Sequence, residues 1–233
     1  MVYVSAYRLG GSDDDILYDS MRDRIPRESY EKTLGMKLKE DRLRTFFGYM
    51  VLGYMLRKYF FISEYELIYN EYGKPYIKGE NIHFNISHSG DMVVCVVSKC
   101  ENGIDTERIA PMDIVNIRGI LKHISSENEA KLVLPSPAGE TECSFYNLWT
   151  AKEALVKCIG CGITEAKSYS ICTLPDGSMR ALVKGKAYYI KNTDLLSGYS
   201  TSLCLSEDFS IPEMTVLKAD DFLNLYVEKI PVL

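Results

Sequence analysis

Residues 82–107 read IHFNISHSGDMVVCVVSKCENGIDTE. Ile82 to Ile86 alternates sides as a strand does, and Ser87 to Asp91 reads as the turn that follows it. Met92 to Val97 is an unbroken apolar run of the buried-strand kind, and Gly103 to Glu107 begins or continues a third strand. Upstream, Leu43, Phe46, Phe47, Met50, Val51 and Tyr54 recur at helical spacing and predict a long amphipathic helix. Between them Glu66 to Tyr69 reads as a short strand, and Tyr72-Gly73-Lys74-Pro75 carries turn chemistry.

After Pro111 the pattern turns helical again. Ser126 and Glu129 stand at capping-box spacing, residues 134–140 (LPSPAGE) read as a loop, and Phe145, Leu148, Trp149, Lys152 and Val156 mark one face of a second strong helix. Gly160 and Gly162 end that helix, and strand-like runs follow at 169–172, 181–183, 187–190 and 201–205. A helix followed by strands thus occurs twice, with the change near residue 110. The expected fold class is α+β, with two similar-sized lobes, residues 1–108 and 109–233, and a ligand between them.

The composition excludes several classes. With 46% hydrophobic and 25% charged residues the chain of 233 residues is globular in character. A net charge of −5 speaks against a general nucleic-acid coat protein, and no stretch approaches the roughly 20 apolar residues of a membrane span. The N-terminus lacks the pattern of a secretory signal, so the seven scattered cysteines read as reduced thiols in the cytoplasm. Cys158 and Cys161 form a CxxC that no second pair completes into a zinc site. P-loop, GxGxxG and GxSxG signatures are absent. Residues 21–60 hold ten Lys/Arg against five Asp/Glu, which makes this segment a candidate anion site, although a solvated helix face accounts for the charge alone.

Three groups carry possible chemistry. Asp105 and Glu107, at i and i+2 on an extended backbone, face the same side, and two such carboxylates suit Mg²⁺. A polar outer strand face accounts for the pair equally well. In WTAKEALVK (149–157), Glu153 and Lys157 share a helix face, either as a surface ion pair or as part of a metal–phosphate site, with Lys152 as a second ammonium for phosphate oxygens. Ser87 and His88, read in a turn, could form an anion-binding nest or an ordinary hydrogen-bonded turn. His123 has no motif around it.

Taken in order, YGKPY (72–76), FNISHSG (84–90), GIDTE (103–107) and FYNLWTAKEALVK (145–157), preceded by EDRLRTFFGYMVL (40–52), resemble the Sfp-type 4′-phosphopantetheinyl transferases. The resemblance implies a pseudo-two-fold monomer with coenzyme A bound between two α+β lobes. It implies that Asp105, Glu107 and Glu153 hold Mg²⁺, with Mn²⁺ as an alternative, and that Lys157 contacts the pyrophosphate. Ser87 and His88 would contact coenzyme A phosphates, Gly73, Lys74 and Pro75 would line the adenine pocket, and Arg44 and Thr45 would approach the 3′-phosphate, with Lys32 as a further contact. The implied activity is transfer of the 4′-phosphopantetheine arm to a serine of an acyl or peptidyl carrier protein, as in fatty-acid, polyketide or non-ribosomal peptide synthesis. Glu153, directly or through a water, is the candidate base. Trp149 is expected to be structural. The competing readings are a metal-dependent phosphodiesterase or nuclease, and a non-catalytic module that binds coenzyme A or a carrier protein.

Overall fold

The apolar run of 92–97 is buried on both faces. Val93, Cys95 and Val97 pack with Phe46, Phe47 and Met50, whereas Met92, Val94 and Val96 pack with Val4, Ala6, Ile104 and Leu203. A strand loses its polar alternation only when both faces are covered, and here a helix covers one and a second sheet covers the other. The structure, a computed structural model, describes residues 1–134 and 140–227; residues 135–139 of the expected 134–140 loop lie outside the described residues.

The elements run β1 (Val2–Arg8), α1 (Asp14–Ser20), α2 (Arg27–Leu34), α3 (Lys39–Phe60), β2 (Leu67–Tyr69), β3 (Pro75–Ile77), β4 (His83–Ser89), β5 (Met92–Ser98) and β6 (Asn102–Arg108). They continue with α4 (Ile114–Ile124), α5 (Glu127–Val133), α6 (Glu140–Ile159), β7 (Ile171–Thr173), β8 (Met179–Val183), β9 (Lys186–Thr193), β10 (Tyr199–Leu205), β11 (Met214–Leu217) and α7 (Ala219–Val227). One sheet has the order β11-β1-β5-β4, the other β6-β10-β9-β8-β7, and β2 and β3 form a separate hairpin. Pairing is antiparallel except between β1 and β11. The α+β expectation holds.

Residues 214–222 return to the first sheet, where β11 pairs with β1 and Phe222 of α7 joins the core beneath α3. Two expectations are corrected. Helix α3 is not merely one-sided: every residue from Phe46 to Leu56 is buried, because α1, α2 and α7 cover what the sheet leaves open. Finally, β4 does not stop at Ile86. It runs through Ser87 and His88 to Ser89, and the chain turns only at Gly90 and Asp91, with Gly90 at φ 56°. The serines prolong the strand because their hydroxyls find partners across it, as described next. The capping box on α5 is present, with Ser126 and Glu129 bonded reciprocally.

Candidate active site

Helix α6 lies against β6 at backbone distance, and Gly103 is the reason. A Cβ at this position would stand 2.1 Å from the Ala154 carbonyl oxygen and 2.6 Å from the Cys158 amide nitrogen. Only glycine lets the helix backbone come this close. Farther along, a line of hydroxyls sets the register of α6 on the sheet. Thr150 bonds Ser202 at 2.7 Å and Ser200 at 3.1 Å, and Ser200 donates to Asn147 at 2.8 Å. Ser202 pairs with Asp105 and Ser200 with Glu107 across the β10–β6 ladder, so both carboxylates share the face that α6 covers.

The two sheets meet at β4 and β6 through side chains instead of a backbone ladder. Asn85 Oδ1 accepts the Ile104 amide at 3.0 Å, Ser87 Oγ the Thr106 amide at 3.3 Å and Ser89 Oγ the Arg108 amide at 3.1 Å. The serines then donate onward: Ser87 to Asp105 Oδ1 at 2.8 Å and Ser89 to Glu107 Oε2 at 2.7 Å. Every second residue of NISHS faces this seam, a period-2 polar alternation that is visible in the sequence and that the turn reading passes over.

Asp105 is 2% exposed. Lys157 Nζ lies 2.5 Å from its Oδ1 and 3.2 Å from Ser87 Oγ, while Asp105 Oδ2 is buried without a partner. Burial pushes the Glu107 carboxyl up, with Asp105 adding to the shift, against the hydrogen bond from Ser89 and the pull of Lys157. Glu153 is pushed up to about 7 by burial first and by Asp105 and Glu107 next, against the pull of Lys157. Trp149, expected to be structural, packs against the apolar cluster of Phe145 and Leu148. Among the described residues no three His, Cys, Asp or Glu side chains are gathered closely enough to ligate one ion; the cation that Asp105 meets is Lys157. The donor chemistry nevertheless fits a hard divalent cation: oxygen donors only, one buried carboxylate oxygen unpaired, and two carboxyls whose ionisation an added positive charge would relieve.

Residues 101–204, which span β6 to β10 and include α6, match the family model described as the 4′-phosphopantetheinyl transferase superfamily. A 4′-phosphopantetheinyl transferase of Bacillus subtilis is 33% identical over 193 residues, covering 80% of this chain and 84% of that protein. The chain belongs to the 4′-phosphopantetheinyl transferase family. The transferase gsp of Aneurinibacillus migulanus is 29% identical over 92% of this chain and 91% of its own length, and Sfp of Bacillus subtilis (strain 168) is 29% identical over 85% and 90%. This chain is accordingly an enzyme of that family.

The other expected site residues of this transferase are distributed along β6. At its start, Gly73, at φ 81°, and Lys74 form the β2–β3 turn, and Pro75 opens β3. Lys74 is buried at 8% exposure, and its ammonium donates to the Asn102 and Cys158 carbonyls. What this turn offers a ligand is therefore its backbone and ring surfaces rather than the Lys74 charge. Near the other end, Arg44 bonds the Gly90 carbonyl at 2.8 Å and Asp41 at 2.6 Å, which ties α3 to the end of β4. His88 is exposed on β4; its crowded surroundings, then Arg44 and Lys157, hold its pKa below the usual histidine value. Thr45 is half-buried beside Met36, and Lys32 is exposed on α2. Lys152 is corrected. Its side chain is 0% exposed, its ammonium lies 2.7 Å from Glu129 Oε1, and it donates to the Ala166 and Tyr169 carbonyls. It is a structural ammonium inside the protein, and sequence spacing showed its face without its partner.

Proposed function

We propose that this enzyme transfers the 4′-phosphopantetheine arm of coenzyme A to a serine hydroxyl of an acyl or peptidyl carrier protein, with Mg²⁺ held by Asp105, Glu107 and Glu153. The observation that carries the reading is the contact of Lys157 and Ser87 with buried Asp105, with Asp105 and Glu107 near enough to Glu153 to raise its pKa, in a chain whose relatives are named for this activity. When bound, the metal would offset charge on the phosphoryl oxygens.

The protein groups have distinct tasks. Glu153, directly or through a water, takes the proton of the serine hydroxyl. That oxygen forms a bond to the β-phosphorus, and the bond from this phosphorus to the bridging oxygen breaks. The departing adenosine 3′,5′-bisphosphate takes the electron pair, and Lys157 neutralises the charge it carries away. Arg44, Thr45 and His88 receive the 3′-phosphate and its neighbours, in line with the basic 21–60 segment, while Gly73, Lys74 and Pro75 flank the adenine. We place the enzyme in the cytoplasm as a monomer.

The test is stoichiometric. An apo carrier protein incubated with enzyme, coenzyme A and Mg²⁺ should release one adenosine 3′,5′-bisphosphate, read by chromatography, for each coenzyme A consumed. Glu153→Gln should slow this at least about a hundredfold, within the range assigned to a general base. Consumption of coenzyme A without release of the bisphosphate, or full activity in Glu153→Gln, would reject the assigned chemistry.

A further inference from the structure

We infer that Ser89 is a positioning residue for the metal site: from the opposite sheet, its hydroxyl fixes the Glu107 carboxylate in the orientation that receives the divalent cation. The inference rests on the proposed assignment of Glu107 as a metal ligand. Nothing in the resemblance drawn from the sequence gives Ser89 a task; Ser87 and His88 beside it were the expected phosphate contacts.

The geometry leaves the Ser89 hydroxyl one arrangement. Its oxygen accepts the Arg108 amide at 3.1 Å, so its one hydrogen is directed to Glu107 Oε2 at 2.7 Å. The acceptor bond anchors the donor. Arg108 is the residue next to Glu107, so the serine grips the backbone immediately beyond the carboxylate that it orients. Glu107 is therefore held from β4, while its own backbone belongs to β6. A neutral donor fixes a carboxylate without cancelling its charge, which leaves that charge available to a cation. Ser87 repeats the pattern one step earlier, accepting the Thr106 amide and donating to Asp105, but Ser87 also meets Lys157. Among the described residues Ser89 donates to Glu107 and makes no bond to Lys157, so its removal isolates positioning from charge pairing. Asn85, the third side chain of the seam, accepts the Ile104 amide and bonds no carboxylate among the described residues, which makes it the natural control for seam integrity.

The test is an Mn²⁺ titration of the purified chain with saturating coenzyme A, reading free Mn²⁺ by electron paramagnetic resonance. Ser89→Ala should weaken Mn²⁺ binding about tenfold, the low end of what loss of a partner that orients a metal ligand costs. Ser89→Thr, which keeps the hydroxyl, should restore it to within about threefold of the unaltered chain on the same reasoning. Asn85→Ala should leave it unchanged. Coenzyme A binding in EDTA should be the same in all of these variants, which verifies that the fold persists. Mn²⁺ affinity unchanged in Ser89→Ala but lost in Glu107→Gln would overturn the positioning role. Equal weakening in Ser89→Ala and Asn85→Ala would overturn it as well, because seam integrity alone would then explain the effect. Unchanged affinity in Glu107→Gln would reject the metal assignment beneath it, and the inference with it.

Discussion

Replacing Lys152 by methionine should unfold this protein more readily without touching its ligand site. The Lys152 and Glu129 side chains are 0% and 4% exposed, with 2.7 Å between them. Burial alone would raise the Glu129 carboxyl, but bonds from Lys152 and from the Ser126 and Ile171 amides outweigh it and hold the group below its ordinary value. The one carboxylate thereby caps α5, receives the first amide of β7 and pairs with α6. Lys152→Met leaves that carboxylate buried beside an apolar side chain and strips the Ala166 and Tyr169 carbonyls of their donor. Removing one partner of a buried pair costs about 3–5 kcal/mol. For a chain of this size that is a fall of roughly 6–20 °C in Tm, a large share of a total stability of about 5–15 kcal/mol. The double variant Glu129→Gln with Lys152→Met removes both charges and should recover a substantial part of the loss. Thermal and urea unfolding would measure both, and calorimetric titration with coenzyme A below the transition would report the site. Wild-type stability together with weakened coenzyme A binding would refute this reasoning and return Lys152 to the phosphate site.

Three further outcomes follow from the geometry. Gly103→Ala places a methyl 2.1 Å from a backbone oxygen of α6, so the helix must move away from β6; circular dichroism should show a markedly destabilised protein, and any folded fraction should lack transfer activity. Trp149→Phe keeps a ring against Phe145 in the apolar cluster; Tm should fall while transfer persists, and a folded but inactive protein would count against a structural role. Without divalent metal, Glu153 is protonated more readily in the folded chain than in the unfolded one, its value rising from 4.5 to about 7. Its contribution to stability is therefore complete below about pH 4.5 and fades as pH rises to about 7. Unfolding followed across that range should show the decline, and Glu153→Gln should flatten it.

The order of helices and strands was readable because its signals are local. The capping box at Ser126 and Glu129, the apolar run at 92–97 and the glycines closing α6 each act within a few residues. What escaped depends on partners distant in sequence. The extension of β4 through Ser87 and Ser89 depends on amides of β6, and the burial of Lys152 depends on Glu129, both beyond the reach of helical or strand periodicity. The return of β11 to β1 is a pairing between chain ends that no local pattern encodes. The candidate site fared better because its motifs are compact: GIDTE places both carboxylates and the glycine that admits α6, and WTAKEALVK places Glu153 and Lys157 on that helix. The donor that holds Glu107, Ser89, became visible only once β4 and β6 were brought together.

The central claim is the transfer itself. Intact mass spectrometry of an apo carrier protein incubated with this enzyme, coenzyme A and Mg²⁺, beside an identical reaction containing EDTA, tests it most directly. The account predicts a gain of one phosphopantetheine per carrier, abolished by EDTA. An unmodified mass across several acyl and peptidyl carriers, or modification that persists undiminished in EDTA, would contradict it.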